Sequence, residues 1–377
     1  MNGLKEVRDI LAAWRRLDQP EKAVLATLVK VQGSAYRKPG ARFLITEKGT
    51  VGAVSGGCLE QDLVQKARTL GSTARVAVFD MTAEDDELWG YAEGCNGVLH
   101  ILLERLRTTE SHQLELVEDV IHRRSPGVIA TVIQVQGDLK SAVGSRVLVF
   151  PGGKVQETIL NPFFVSPIVE HAAATLNASS HIRRFQFTEG MLEVFFEVVH
   201  PPISLTILGA GDDAIPMYRI ARELGWDITV IDHRPAFAAE QRFPEARVVL
   251  IEPEKIPDHL NADHRSAVVI MTHSLRHDQS YLPAVLAQPF AYIGLLGSRE
   301  RFKALLGRLE AAGAPVRDAD RARIHTPAGL DIGSEAPGEI ALAIVAEIQT
   351  VIQHRNGGFL RNADGPRVTP RRLTHDP

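Results

Sequence analysis

The chain has 377 residues, of which 45% are hydrophobic and 23% charged, so it has the composition of a soluble globular protein with room for two or three domains. Its formal net charge of −4 argues against binding to nucleic acid or to an anionic membrane. No apolar run reaches the roughly 20 residues of a membrane span, and the charged, amphipathic N-terminus is not typical of an export signal. Two cysteines exclude a disulfide scaffold, and we expect a cytoplasmic protein.

The first part of the chain, residues 1–200, is predicted to begin with an amphipathic helix that carries Val7, Ile10 and Leu11 on one face. A β-rich region follows, with strands predicted at 23–31 and 42–46 and a turn at 47–49. The region is therefore expected to have an α+β fold.

An internal repeat is visible when the chain is compared with itself. Residues 24–51 align without a gap with residues 128–155, and residues 97–104 resemble residues 190–197. The identical positions include Gly33/Gly137, Gly40/Gly144 and Arg42/Arg146. We infer an ancient duplication that produced two similar β-rich lobes, at about 1–107 and 112–200, in which shared residues serve the fold.

Segments found in the first lobe alone are better candidates for function. Cys58 follows Gly56 and Gly57 and precedes a helix predicted at 59–70. A helix N-terminus stabilises a thiolate, the form that attacks, carries sulfur or binds a soft metal, although a small buried hydrophobic residue is the alternative. Cys95, which follows Gly94, leaves the same two interpretations open.

Two cations in the first lobe are candidates for ligand binding. Arg37 and Lys38 precede a turn at Pro39-Gly40, where they can face an anionic ligand or solvent.

The prolines at 201–202 indicate a linker, because proline cannot extend a strand ladder. A strand predicted at 203–208 then runs into Gly209-Ala210-Gly211, a helix, a second strand at 228–231 and Asp232. This pattern is typical of a βαβ nucleotide-binding unit, in which an acid about 20 residues after the glycines holds a ribose hydroxyl. We therefore predict a Rossmann-like, doubly wound parallel sheet over residues 203–354, followed by a mobile tail at 355–377.

Nucleotide binding at this turn is a separate hypothesis. Asp212 and Asp213 lie in the first turn of the helix, where they can cap its amides and repel a phosphate. Arg234 can accept a 2′-phosphate or pair with Asp232.

Later loops supply further candidates, because ligands bind at the carboxyl ends of parallel strands. After the strand predicted at 267–271 come His273 and Asp278. They form either an acid–base pair or part of an ordinary polar loop, or they lie where nearby residues cap a helix. Gly297, Ser298 and Arg299 follow a strand predicted at 291–295; Arg299 can bind a phosphate or carboxylate, and Ser298 can cap a helix. A last helix is predicted at about 337–352.

Several short motifs occur in a recognisable order: GSAYRKPGAR at 33–42, SGGCLE at 55–60, CNG at 95–97, DHRP at 232–235, RFPEA at 242–246, YIGLLGSR at 292–299 and GLDIG at 329–333. Together they resemble the xanthine dehydrogenase accessory factor (XdhC/CoxI) family over nearly the whole chain. Many members of that family carry histidine after the GxG turn, where this chain has Asp212.

The resemblance implies an N-terminal XdhC/CoxI domain, a C-terminal Rossmann domain and a homodimer. It implies a role in maturing molybdenum hydroxylases: holding molybdenum cofactor, supporting its sulfuration by a cysteine desulfurase and inserting it into the apoenzyme. We expect cofactor handling rather than turnover, with an NAD(P)-dependent oxidoreductase or a pure docking protein as alternatives.

The cofactor is an anionic dithiolene–pterin phosphate, and the candidate residues are expected to line a cleft between the domains. Cys58 is expected to contact molybdenum or sulfur, with Cys95 as a second contact. The predicted cofactor-binding residues are Arg37, Ser55, Gly56, Gly57, Gly209, Gly211, Asp232, Arg234, His273, Gly297, Ser298 and Arg299.

Overall fold

A computed structural model describes residues 3–81, 97–106, 112–139, 141–157 and 162–362. The candidate Cys95 and most of the predicted tail, residues 363–377, lie outside the described residues. The chain divides into two compact units, Met1–Pro201 and Pro202–Pro377. Within the described ranges, no helix is both long and apolar enough to cross a membrane.

The first unit contains two five-stranded antiparallel sheets with the same strand order. The first sheet has the order β3-β2-β1-β5-β4, with β1 (Val24–Gly33), β2 (Arg42–Thr46), β3 (Gly49–Gly52), β4 (Arg75–Asp80) and β5 (Gly97–Arg105). The second has the order β8-β7-β6-β10-β9, with β6 (Gly127–Gly137), β7 (Arg146–Val149), β8 (Val155–Glu157), β9 (His181–Phe187) and β10 (Gly190–Val199). The repeat in sequence is thus a repeat of fold.

In the described residues, the helices that accompany the two sheets are α1 (Leu4–Arg15), α2 (Glu60–Arg68), α3 (Gln113–Arg123) and α4 (Pro162–Thr175). Alternate strand residues face two different cores, as the period of two in a strand requires. Leu25 of the first sheet and Ile129 of the second pack in one cluster with residues of α1 and α3. Their neighbours Val24 and Val128 pack in separate clusters, with residues of α2 and of α4 respectively.

The repeat extends to an irregularity in the central strands. The register between β1 and β5 skips Val29, and the register between β6 and β10 skips Ile133. These β-bulges occupy equivalent positions in the two lobes. Val29 and Ile133 pack together with Leu102 and Phe195 in a small core shared by both sheets.

Two buried ion pairs cross between the lobes in a reciprocal way. Arg42 Nη2 of the first lobe donates to Glu197 Oε2 of the second at 2.6 Å, and Arg146 of the second lobe donates to Glu104 of the first. Each arginine also donates to the carbonyl of a turn glycine two residues before it. The equivalent positions of Arg42 and Arg146 in the repeat therefore join the two halves.

The second unit is built on a six-stranded parallel sheet of order β13-β12-β11-β14-β15-β16. Its strands are β11 (Ser204–Leu208), β12 (Asp227–Asp232), β13 (Arg247–Leu250), β14 (Ser266–Ile270), β15 (Tyr292–Leu295) and β16 (Ile324–His325). Its helices are α5 (Ala214–Glu223), α6 (Leu275–Leu286), α7 (Arg299–Ala311), α8 (Asp318–Arg321) and α9 (Pro337–Ile352). The order is that of a Rossmann fold, so the predicted fold class is confirmed.

Helices cover both faces of the parallel sheet. Met217 of α5 and Ile344 of α9 belong to the core on one face. Leu282 of α6 and Leu305 of α7 belong to the core on the other face. The two-residue strand β16 was not predicted, because so short a segment carries no periodic pattern.

Candidate functional site

The turn between β11 and α5 passes close to the backbone that follows β14. Gly209 has φ of +111°, and a Cβ atom there would lie 2.6 Å from the carbonyl oxygen of Met271. At Gly211 an added Cβ atom would collide with the carboxylate of Asp213. Glycine is required at Gly209 by both backbone angle and close approach.

Asp232, at the carboxyl end of β12, is buried and saturated with hydrogen bonds. Its Oδ1 atom accepts from the amide and Nε of Arg234, each at 2.9 Å. Its Oδ2 atom accepts from the Ala210 amide at 2.7 Å and Arg234 Nη2 at 2.8 Å. Asp232, the predicted ribose acceptor, therefore uses its oxygens to hold the glycine turn and Arg234 instead.

The protonation of Asp232 follows from these contacts. Burial alone would raise the pKa of its carboxyl, but the hydrogen bonds from Arg234 and the Ala210 amide outweigh burial and lower the pKa from 3.8 to about 2. The carboxylate thus stabilises the fold above the unfolded-state pKa, and this contribution is lost as the pH falls through the folded-state value.

We expect Asp232→Asn to reduce the free energy of unfolding by about 2 kcal/mol near neutral pH. The difference between the two proteins should stay constant above about pH 5 and shrink between about pH 4 and pH 2, because the wild-type carboxylate becomes protonated there. Urea unfolding of both proteins at a series of pH values measures the difference in their free energies of unfolding. The contributions of the other titrating groups are the same in both proteins and cancel in this difference. A difference independent of pH would contradict the assigned role.

The first turn of α5 is not capped in the predicted way. Asp213 occupies the N-cap position without a side-chain cap hydrogen bond. Its Oδ2 atom lies 2.7 Å from His273 Nε2, and the exposed Asp212 accepts from Arg242 Nη2 at 2.6 Å. The two carboxylates therefore contact His273 and Arg242 instead of the helix amides.

The structure does not bring His273 and Asp278 together as an acid–base pair. His273 is an exposed residue with φ of +56°, whereas Asp278 is buried on α6. Asp278 accepts at 2.5 Å from Thr272 Oγ1 through Oδ1 and at 2.5 Å from Arg301 Nη2 through Oδ2. The two residues therefore face different surroundings and serve different contacts.

Ser298 is the N-cap of α7, where its Oγ accepts from the Arg301 amide at 3.2 Å. The predicted anion ligand Arg299 is exposed. Arg301, and not Arg299, lines a cavity at the carboxyl ends of the parallel strands. Side chains in the first turn of a helix point back toward its N-terminus, so the spacing from Ser298 was a usable signal for Arg301.

A cavity of about 750 Å³ lies at the carboxyl ends of the central strands of the parallel sheet. Its apolar walls include Met217, Phe237, Met271, Leu296 and Ile340. Four predicted residues, Gly211, Arg234, His273 and Gly297, also line it, together with Arg301, which sequence reasoning missed, and the acidic residues Asp212, Asp213 and Glu335. This is the switch point of the strand order, where α/β sheets bind ligands, and the volume suits a small molecule.

The first unit has a cavity of its own, of about 790 Å³, lined in part by Arg37, Ser55, Gly56 and Gly57. Arg37 pairs there with Glu6 of α1, so the predicted cation already has an acidic partner.

The loop at 55–60 is closed by its own hydrogen bonds. Ser55 Oγ donates to Glu60 Oε2 at 2.6 Å and accepts from the Gly57 amide at 3.1 Å. Glu60 Oε1 also accepts from the Ser55 amide at 3.0 Å. Gly57 has φ of +115°, with open space where a Cβ would be, so this glycine serves the turn rather than a close approach.

Cys58 is half-buried and packs against the core beneath α2. The helix begins at Glu60, and Cys58 is not among the residues that line the first-unit cavity. Within the described residues, no group of three or more histidine, cysteine, aspartate or glutamate side chains is placed to hold a metal ion.

Comparison with known proteins finds a family match in each of the two units. Residues 16–80 match the XdhC and CoxI family, and residues 205–348 match the XdhC Rossmann domain. A relative from Bacillus subtilis, named as a probable subunit of xanthine dehydrogenase, is 34% identical over 338 residues, which cover 88% of this chain and 94% of the relative. The molybdenum cofactor insertion chaperone PaoD from Escherichia coli is 25% identical over 344 residues, covering 88% and 84% of the two chains.

A crystal structure described as a xanthine dehydrogenase from Bacillus halodurans has a similar fold, with a TM-score of 0.73. The two proteins are 29% identical, and the match covers 95% of this chain and 98% of the other. The fold, the two domain matches and the identity to a full-length relative agree: the chain belongs to the XdhC and CoxI family.

Proposed function

We propose that this chain is an accessory protein for molybdenum hydroxylases that binds molybdenum cofactor and delivers it to the apoenzyme. The cavity at the switch point of the parallel sheet carries the proposal, because it has the size of a small-molecule site and combines apolar walls with arginine side chains. Similarity to a molybdenum cofactor insertion chaperone over most of both chains supports it.

The chemistry of the cavity fits the proposed cargo. The cofactor has a flat pterin, a phosphate and an anionic dithiolene. The methionines of the wall offer apolar surface for a flat ring, and Arg301 offers positive charge beside the carboxylates of Asp212, Asp213 and Glu335. We further propose that a cysteine desulfurase sulfurates the bound cofactor and that the chain acts as a homodimer.

The residues of the glycine turn fit a pyridine dinucleotide poorly. A pyrophosphate at Gly211 would meet the carboxylate of Asp213, and Asp212 adds a second negative charge to the same helix turn. A ribose diol would have to displace Arg234 from Asp232. This geometry favours cofactor handling over NAD(P)-dependent turnover.

Purification under anaerobic conditions from cells that make molybdenum cofactor tests the proposal. We expect the protein to retain the cofactor and to raise the activity of an added molybdenum hydroxylase apoenzyme. Titration with NAD(H) and NADP(H) should give neither tight binding nor turnover. Nucleotide-dependent turnover without cofactor retention would move the assignment to an oxidoreductase.

Cys58→Ala tests the role of this thiol in cofactor handling that the family resemblance led us to expect. We expect at least a fivefold loss in cofactor retention or in apoenzyme activation, equivalent to about 1 kcal/mol. Because Cys58 is half-buried, the thermal unfolding midpoint should change little. Retention and activation equal to wild type would remove Cys58 from the site and leave the rest of the proposal standing.

A further inference from the structure

Arg301 reaches the cavity of the parallel sheet because a glycine lies beneath its side chain. It occupies the first turn of α7, which begins at Arg299. A Cβ atom at Gly297 would lie only 2.5 Å from Arg301 Cδ. Gly297 also has φ of +142°, so a side chain is disfavoured there on two counts. The absence of a side chain at Gly297 therefore leaves the space that the Arg301 side chain occupies.

A buried carboxylate holds the guanidinium at one corner. Asp278 is 1% exposed, and it joins Arg301 to Thr272, which also lines the cavity. Within the described residues, Asp278 is the one acceptor that the guanidinium contacts, through Nη2 alone. The Nε atom is buried without a partner among those residues. Arg301 is thus anchored while most of its donors are uncommitted.

Arg234, the other arginine of the cavity, is arranged differently. Its Nε and Nη2 atoms both donate to Asp232, in a two-bond contact with the carboxylate. Its guanidinium also lies 3.9 Å from the centre of the Phe237 ring. Arg234 is therefore largely committed to the protein, and Arg301 is the better placed of the two to bind an incoming anion.

We propose that Arg301 binds the phosphate of the ligand in this cavity and that Asp278 is the residue that positions it. The proposal rests on the proposed function and adds where the anion binds: beside β15 and α7, rather than at the amides of the glycine turn. Arginine suits this task because its planar donors match two oxygens of a phosphate. The ligand would thus bind at the carboxyl ends of the strands, as in other Rossmann folds, but its phosphate would lie at Arg301 instead of at the glycine turn.

Calorimetric titration of the full chain with inorganic pyrophosphate tests the anion site without the cofactor. We expect Arg301→Ala to raise the Kd at least tenfold, with Arg299→Ala as the matched control. Arg299 has the same charge, lies two residues away in the same helix turn and is exposed, so its removal should change the Kd less than twofold. Equal losses in both variants would indicate general charge attraction and overturn the proposal, as would a wild type that binds no pyrophosphate.

A double-mutant cycle tests the positioning role of Asp278. Asp278→Asn should weaken pyrophosphate binding in the wild-type background and have no further effect in the Arg301→Ala background. A merely structural role would give the same loss in both backgrounds and would contradict the assignment.

Retention of molybdenum cofactor by the same variants separates the two proposals. Retention by wild type and by Arg301→Ala alike overturns the anion site and leaves the proposed function intact. Binding of pyrophosphate that depends on Arg301, without cofactor retention by wild type, supports the anion site and contradicts the proposed function.

Discussion

Replacing Arg42 with methionine should lower the free energy of unfolding of the first unit by about 3–5 kcal/mol. The side chains of Arg42 and Glu197 are only 1% and 5% exposed, so the substitution leaves a carboxylate buried without its cation. The Gln113 amide, 3.2 Å from the same oxygen, supplies one neutral hydrogen bond and cannot replace the charge. Hydrogen exchange in β1 and β10 during urea unfolding of the full chain measures the loss within this unit.

Three controls sharpen this result. Arg146→Met should cost about as much, because Arg146 and Glu104 form the equivalent pair. The double variant Arg42→Met, Glu197→Leu should recover most of the stability, because an apolar pair leaves no buried charge. Lys22→Ala, which breaks an exposed pair with Glu47, should change stability by less than about 0.5 kcal/mol. A loss below about 1 kcal/mol for Arg42→Met would show that water reaches Glu197.

Gly209→Ala should destabilise the second unit by about 2–4 kcal/mol and reduce ligand binding in its cavity. Alanine disfavours φ of +111°, and its Cβ would lie 2.6 Å from the Met271 carbonyl oxygen and 2.8 Å from the Met271 carbonyl carbon. Both contacts are with backbone, so relief requires movement of the turn or of the segment after β14. Thermal unfolding and pyrophosphate titration measure the two effects.

Gly307→Ala is the matched control for that substitution. Gly307 lies inside α7, where an added Cβ meets nothing within 4 Å, so alanine should stabilise the helix by about 0.5–1 kcal/mol. A Gly209 variant that unfolds at the wild-type temperature would mean that the close approach of the two backbones is not needed for folding.

The Rossmann unit was predictable because its signals are local. The apolar run before Gly209, the helix of α5 and the acid at Asp232 all act within one βαβ unit, and the bounds predicted for α9 agree with the structure. The internal repeat likewise predicted two similar β-rich lobes, and the structure has a five-stranded sheet of the same strand order in each.

The partners of polar residues were harder to predict, because they depend on segments that meet only in the folded chain. Asp278 was a candidate beside His273, yet it pairs with Arg301, 23 positions away. Arg37 was a candidate anion ligand, yet it pairs with Glu6 of α1. Composition and periodicity specify which residues face a core, but they do not specify which donor reaches which acceptor.

The reciprocal ion pairs between Arg42 and Glu197 and between Arg146 and Glu104 give the first unit the contacts of an isologous dimer within one polypeptide. In a true homodimer every substitution occurs twice, so a loop cannot change on one side alone. Fusion of the two copies into one chain removes that constraint, and the two ion pairs still join the lobes in the same arrangement. The loop at 55–60 was therefore free to change in the first lobe without a matching change in the second.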